Sequence, residues 1–278
     1  MTTWLITGCS SGLGHALAEA VLKAGFNAVV TARDAAKVQD LVSAYPDTAL
    51  AAALDVTDPA SVAETCARAE ARFGGVDVLV NNAGYGYRAA VEEGDDDDVA
   101  RLFATNVHGP VAMIKAVLPG MRARRRGTIV NLSSIAAQRS GPGSGYYSAT
   151  KMALEGVSDA LRKEVGPLGI RVLVVEPGAF RTDFAGRSLT GAKTVIADYA
   201  DTVGPRRKEN DKSDGTQPGD PARAARTIID VVGKADAPFR LLLGSDAVSI
   251  VREEAEAHLR EIDAWQSVSD ATDFPDEG

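Results

Sequence analysis

The chain has 278 residues, 45% apolar and 24% charged. That is ordinary globular usage, and it excludes a mainly disordered, collagen-like or disulfide-scaffold chain. Lys and Arg number 30 against 38 Asp and Glu, a net charge of −8, which argues against nucleic acid or an anionic membrane as the main partner. Cys9 and Cys66 lack metal-ligand spacing and read as reduced thiols. The opening MTTWLITGCSSG carries no basic leader, and no apolar stretch approaches the roughly 20 residues that span a bilayer. A cytoplasmic protein is expected.

Seven short apolar runs recur along the chain: Trp4–Thr7, Ala28–Ala32, Ala49–Leu54, Val76–Val80, Thr128–Leu132, Arg171–Val175 and Arg240–Leu243. They read as buried strands, apolar on both faces, of a parallel sheet. Between them lie segments of helical period: Leu13–Ala24, Ser61–Phe73, Val99–Arg124, Tyr147–Val165, Ala222–Val232 and Val248–Trp265. Asp220-Pro221 supplies a cap and a first-turn proline for one of these helices. Alternating strands and helices predict an α/β doubly wound sheet (Rossmann fold), with helices on both faces, as one domain over residues 1–278. Residues 184–220 break the pattern with the polar run GPRRKENDKSDGTQPGD, read as a substrate-gating insertion. Residues 269–278 read as a short acidic tail.

The first strand runs into Thr7-Gly8-Cys9-Ser10-Ser11-Gly12-Leu13-Gly14, and a helix follows. Gly8 permits a tight turn, Gly12 admits a pyrophosphate to the positive end of the helix, and Gly14 lets helix and strand pack closely. A dinucleotide is the ligand this loop suits. The second strand ends in Ala32-Arg33-Asp34, where an NAD-preferring fold would place an acid against the ribose. Arg33 suits a 2′-phosphate instead, with Asp34 capping the next helix, so NADP(H) is preferred and NAD(H) remains possible.

Tyr147 and Lys151 stand one helical turn apart. A phenol is a poor base at neutral pH, and a neighbouring ammonium stabilises the phenolate, making it a usable acid/base. Tyr146 faces Thr150 and lacks such a partner. The fifth strand ends in Asn131-Leu132-Ser133-Ser134 and the fourth in Asn81-Asn82-Ala83-Gly84, at the strand ends where open α/β sheets build sites.

With these residues in this order, the sequence resembles the short-chain dehydrogenase/reductase family over about residues 3–183. The matching positions are the Thr7–Gly14 loop, Asp55-Val56, Asn81–Gly84, Asn106, Ser134, Tyr147, Lys151 and Pro177-Gly178. The resemblance implies that Tyr147 exchanges a proton with the substrate oxygen, that Ser134 positions that oxygen, and that Lys151 holds the nicotinamide ribose and lowers the Tyr147 pKa. It implies that Asn106 holds a water linking Lys151 to solvent. Asp55 and Val56 would contact adenine, Asn82, Ala83 and Gly84 the adenosine ribose, and Thr182, after Pro177-Gly178, the carboxamide. Ser10 resembles the position that assists a 2′-phosphate, and Ser11 stands where many NADP-dependent members have a basic residue.

The implied activity interconverts a ketone or aldehyde and an alcohol. An NAD-dependent alcohol or hydroxysteroid-type dehydrogenase, a non-catalytic dinucleotide-binding regulator, and a dehydratase or epimerase of the same fold are the alternatives. Pocket candidates are Tyr85, Tyr87, Arg139, Tyr146, Phe180 and Phe184, suggesting a medium-sized, partly apolar carbonyl. The segments Val99–Arg124 and Tyr147–Val165 resemble the family's subunit interfaces, so a homodimer or homotetramer is expected.

Overall fold

Each predicted run is a strand in the computed structural model, which describes all residues except 183, 185–187, 208–214 and 275–278. They are β1 (Thr3–Ile6), β2 (Asn27–Ala32), β3 (Ala49–Ala53), β4 (Val78–Asn81), β6 (Gly127–Leu132), β7 (Ile170–Pro177) and β9 (Arg240–Leu243). All pair in parallel in the order β3-β2-β1-β4-β6-β7-β9. The order reverses between β1 and β4, where a doubly wound sheet opens a crevice for ligand.

Helices cover both faces because alternate strand residues point to opposite sides. Trp4, Ile6, Val78, Val80, Val130 and Val175 pack with α1 (Gly12–Lys23) and α7 (Pro221–Gly233). Leu5, Leu79, Ile129 and Val172 pack with α3 (Pro59–Phe73), α5 (Gly109–Arg124) and α6 (Gly145–Val165). The expected caps form: Asp34 accepts from the Ala36 amide at 3.0 Å and Asp220 from the Ala222 amide at 2.8 Å. A short helix, α2 (Gln39–Ala44), carries too few residues to show a period. The last helix, α8 (Ser245–Asp270), is longer than its apolar pattern and runs into the expected acidic tail. Among the described residues, no helix is long and apolar enough to cross a membrane.

The segment Val99–Arg124 is not one uninterrupted α-helix. It contains most of α4 (Asp96–Phe103), a π-helical turn at Ala104–His108, and α5. Pro110 has no amide to give the preceding turn, so the chain widens there. Gly109 sits where any Cβ would lie 2.6 Å from Val56 Cγ2. The widened turn buries Asn106.

The expected insertion at 184–220 is attached to the body wherever it is described. Its β8 (Leu189–Gly191) pairs in parallel with β5 (Gly86–Arg88). Phe180 bridges to Gly219. Farther along, the buried Glu93 carboxylate accepts the Ile196 amide at 2.9 Å and the Ala90 amide at 2.8 Å, and it pairs with Arg207. Burial opposes charge on Glu93. The two amides and the guanidinium outweigh it, so the carboxyl is held below its usual range.

This carboxylate therefore contributes stability above the usual glutamate range, and the contribution fades as pH falls through the lowered value. Glu93→Ala strands two buried amides and is expected to cost about 2–3 kcal/mol at pH 7. Urea denaturation should show that deficit shrinking toward pH 3.

Candidate active site

The site is organised where β1 and β4 end side by side. Thr7 Oγ1 accepts the Asn82 and Ala83 amides, each at 2.9 Å. The Asn82 carboxamide donates back to Thr7 O at 2.9 Å and Gly8 O at 3.0 Å. Asn82 and Ala83 thus brace the glycine loop. Gly8 and Gly12 adopt φ of +73° and +61°, the left-handed region that glycine tolerates. A Cβ on Gly14 would collide with Gly8 O and the Asn82 amide, so that glycine serves close helix–strand approach.

Several features fit a dinucleotide. Ser11 caps α1 without a side-chain hydrogen bond, leaving the first-turn amides for an anion. Among the described residues a Cβ on Gly12 would meet only Thr182, at 3.5 Å, so Thr182 stands over the loop. Ser10 and Arg33 are exposed nearby on the same strand-end side. Arg33 is close enough to act electrostatically on Asp55 and Tyr85. Asp55 is pinned by Thr57, whose hydroxyl donates to it at 2.7 Å and whose contacts hold its carboxyl below the usual range. Leu13 packs partly buried on the core, and Val56 is buried against Gly109. Pro177 ends β7, and Gly178 gives Asp246 room to accept the Ala179 amide at 2.7 Å.

The reactive side chains meet at the carboxyl end of β6. Tyr147 opens α6, and Lys151 Nζ lies 5.7 Å from its ring centroid. Lys151 Nζ donates to Leu132 O at 2.7 Å. The Ser134 hydroxyl lies against the Tyr147 phenol and caps the next turn by accepting the Ala136 amide at 3.1 Å. Asn106 spends its carboxamide on the Tyr85 backbone, donating to Tyr85 O at 2.9 Å and accepting the Tyr85 amide at 3.1 Å. Gly84 has no room for a Cβ beside Asn106 Oδ1, and that direction leads to Lys151 Nζ 3.8 Å away.

Burial pushes the Tyr147 phenol up to about 12, and the Ser134 hydroxyl and Arg88 charge offset it only in part. Burial also lowers Lys151 to about 8, opposed by the Glu155 charge. The low-dielectric surroundings penalise charge on both groups.

The pocket candidates separate. Tyr87 is buried in a small apolar cluster with Ala89 and Leu102, and its hydroxyl accepts the Asp95 amide at 3.2 Å. Tyr146 packs on that cluster and donates to Val91 O at 2.6 Å. Arg139 faces Glu253 on α8 at 3.9 Å, and Phe180 packs on the main core. Phe184 remains at the site, its ring centroid 5.8 Å from that of Tyr147, as does half-buried Tyr85.

Sequence reasoning missed the polar groups behind the site. Asn81 donates to Asn131 Oδ1 and Asn131 to Ser158 Oγ, each at 2.8 Å, crossing from β4 to β6 to α6. Glu155 and Glu176 are buried next to one another, with Ser133, Gln138 and Arg240 around them. Two signals were available: Glu155 continues the Tyr147–Lys151 helical face, and Glu176 interrupts the apolar run of β7.

Comparison with known proteins gives a consistent result. The family model described as short chain dehydrogenase matches residues 2–192. Oxidoreductase BOA17 of Botryotinia fuckeliana is 38% identical over 96% of this chain and 97% of its own. The crystal structure of a short-chain dehydrogenase from Streptomyces avermitilis superimposes with a TM-score of 0.92 at 44% identity, covering 98% of this chain and all of that one. An alcohol dehydrogenase from Thermococcus sibiricus, complexed with 5-hydroxy-NADP, gives 0.71 at 25% identity, covering 87% of this chain and 96% of its own. A nicotinamide dinucleotide is the cofactor that fits.

The lowered Lys151 pKa has a stability consequence. Between about 8 and 10.5 the unfolded chain binds more protons at this position than the folded one, so the burial penalty is full below that window and relieved as pH rises through it. Lys151→Met should be more stable than the parent by about 1–3 kcal/mol at pH 7.5. The gap should narrow by pH 9.5 in urea denaturation.

Proposed function

The chain belongs to the short-chain dehydrogenase family, and on that premise we propose that it is an NADP(H)-dependent oxidoreductase interconverting a ketone or aldehyde and the corresponding alcohol. The observation that carries the reading is the meeting of the Tyr147 phenol, the Ser134 hydroxyl and the Lys151 ammonium beside the dinucleotide crevice. When bound, the dinucleotide supplies or accepts the hydride. Tyr147 gives its proton to the carbonyl oxygen in reduction and takes the alcohol proton in oxidation. Ser134 donates to the same oxygen and fixes its place. Lys151, anchored on Leu132 O, presents its remaining protons to the ribose. Burial favours the protonated phenol, the form that gives its proton to a carbonyl oxygen in reduction.

The preference for NADP(H) rests on charge. Arg33 follows β2 directly, and the neighbouring Asp34 carboxylate is turned to the Ala36 amide. Phe184 against Tyr147 supports a partly apolar carbonyl substrate. Met152 and Val157, both exposed on α6, support a homodimer or homotetramer that uses this helix.

Tyr147→Phe should lower kcat for ketone reduction by at least about 100-fold while NADPH titration and the folded state stay unchanged. Retained turnover would remove Tyr147 from its role. Arg33→Ala should weaken NADPH binding by about tenfold or more, through loss of a charge-assisted contact, and NADH binding hardly at all. Equal losses for both cofactors would overturn the phosphate assignment.

A further inference from the structure

Behind the catalytic pair lies an acidic cluster that proton and hydride transfer leave unused. Glu155 is 5% exposed and Glu176 1%. Ser133 Oγ donates to Glu155 Oε1 at 2.7 Å. Gln138 Nε2 bridges the two acids, donating to Glu155 Oε2 at 3.2 Å and Glu176 Oε1 at 2.7 Å. Arg240 Nε lies 2.9 Å from Glu155 Oε2 and 3.7 Å from Glu176 Oε1. The groups come from the ends of β6 and β7, the turn after β6, the middle of α6 and the start of β9.

One guanidinium faces two buried carboxyls. Like charges this close in a low dielectric do not both ionise, so the pair shares a proton. Burial and the neighbouring Glu155 hold Glu176 well above the usual carboxylate range.

We propose that the Glu155–Glu176 pair is a positioning unit of the catalytic centre, fixing the Ser133-Ser134 strand end against Tyr147 and supplying the negative charge that keeps Lys151 an ammonium. The inference rests on the oxidoreductase reading above. Ser133 is held at both ends, its amide donating to Val175 O at 2.8 Å and its hydroxyl to Glu155. The next residue, Ser134, meets the phenol. Glu155 is one helical turn from Lys151 and acts on it electrostatically. Among the described residues, Lys151 also faces the Tyr147 ring on α6, Leu132 O on β6 and, across Gly84, Asn106 of the π-helical turn. The further charged groups are Glu176 on β7 and Arg240 on β9, both reaching Lys151 through Glu155, and Arg88 on β5, acting on Tyr147.

The test measures kcat and KM for NADPH-dependent ketone reduction from pH 6 to 10 in the full chain. Glu155→Gln keeps an acceptor for Ser133 and deletes the charge. The alkaline limb of kcat, where Lys151 loses its proton, should move down by about one pH unit or more, with KM for the ketone little changed. Arg240→Gln removes the compensating cation and should move the limb up. Glu176→Gln fixes the acid in its neutral form and should move the limb down by less than Glu155→Gln does. A uniformly lower kcat with an unmoved limb in both Glu155→Gln and Arg240→Gln would reduce the cluster to structural support and overturn the proposal.

Unfolding without cofactor gives a readout independent of turnover. A raised folded pKa at Glu176 means that the parent loses stability as pH rises from about 5 toward 8, so Glu176→Gln should gain on it over that range. Superimposable pH dependences would overturn the shared proton. If the parent turns over no ketone, the oxidoreductase reading falls, and the unfolding arm still decides the pairing. If Glu155→Gln does not fold, Arg240→Gln and Glu176→Gln carry the test.

Discussion

The site depends on a single hydroxyl. Thr7 Oγ1 accepts two successive amides from the end of β4 and donates to Val80 O, so the first and fourth strands leave the sheet tied together. This knot sits where the strand order reverses. It holds the start of the glycine loop against the end of β4, and the Asn82 carboxamide fills the space beneath the turn. The positive φ of Gly8 and Gly12 and the bare amino end of α1 follow from that geometry. A parallel sheet whose central strands separated freely would leave a groove with no fixed floor.

Behind the knot the core is more polar than its apolar strands suggest. The Asn81–Asn131–Ser158 ladder and the Glu155–Glu176 cluster run under α6 on successive turns of the helix that carries Tyr147 and Lys151. A buried polar network has few satisfactory arrangements, because each unpaired group costs desolvation energy. Helix α6 is therefore fixed in rotation as well as in place. Burial also sets the chemistry: both Tyr147 and Lys151 are biased toward their neutral forms.

The sheet was legible because strands apolar on both faces have no other use in a chain of this composition. Tyr147 and Lys151 were legible because i and i+4 share a helical face, and the Asp34 and Asp220 caps because a short acid before a turn has one common task. Other features follow from three-dimensional proximity that no local pattern records. Asn106 lies inside what reads as continuous helix, and only Pro110 after Gly109 hints at the widened turn. Tyr87 reads as a pocket residue because β5 is only three residues long and carries no alternation. Glu155 and Glu176 meet across two elements. The direction of the Tyr147 shift requires knowing how much water reaches the phenol, which spacing cannot supply.

The attachment of the insertion constrains how this enzyme could be diversified. Chain leaving β7 is stapled at Phe180–Gly219, again at β8, and again at Glu93. The β5–β8 staple lies close to Tyr147, because β5 carries Arg88, whose charge acts on the phenol, and Phe184 packs on the Tyr147 ring. An insertion fastened in this manner is not freely exchangeable: a change of length or polarity between the staples would be felt at the Tyr147 ring. The insertion and the helix that carries Tyr147 are thereby coupled stretches of one chain, and a change in one constrains the other.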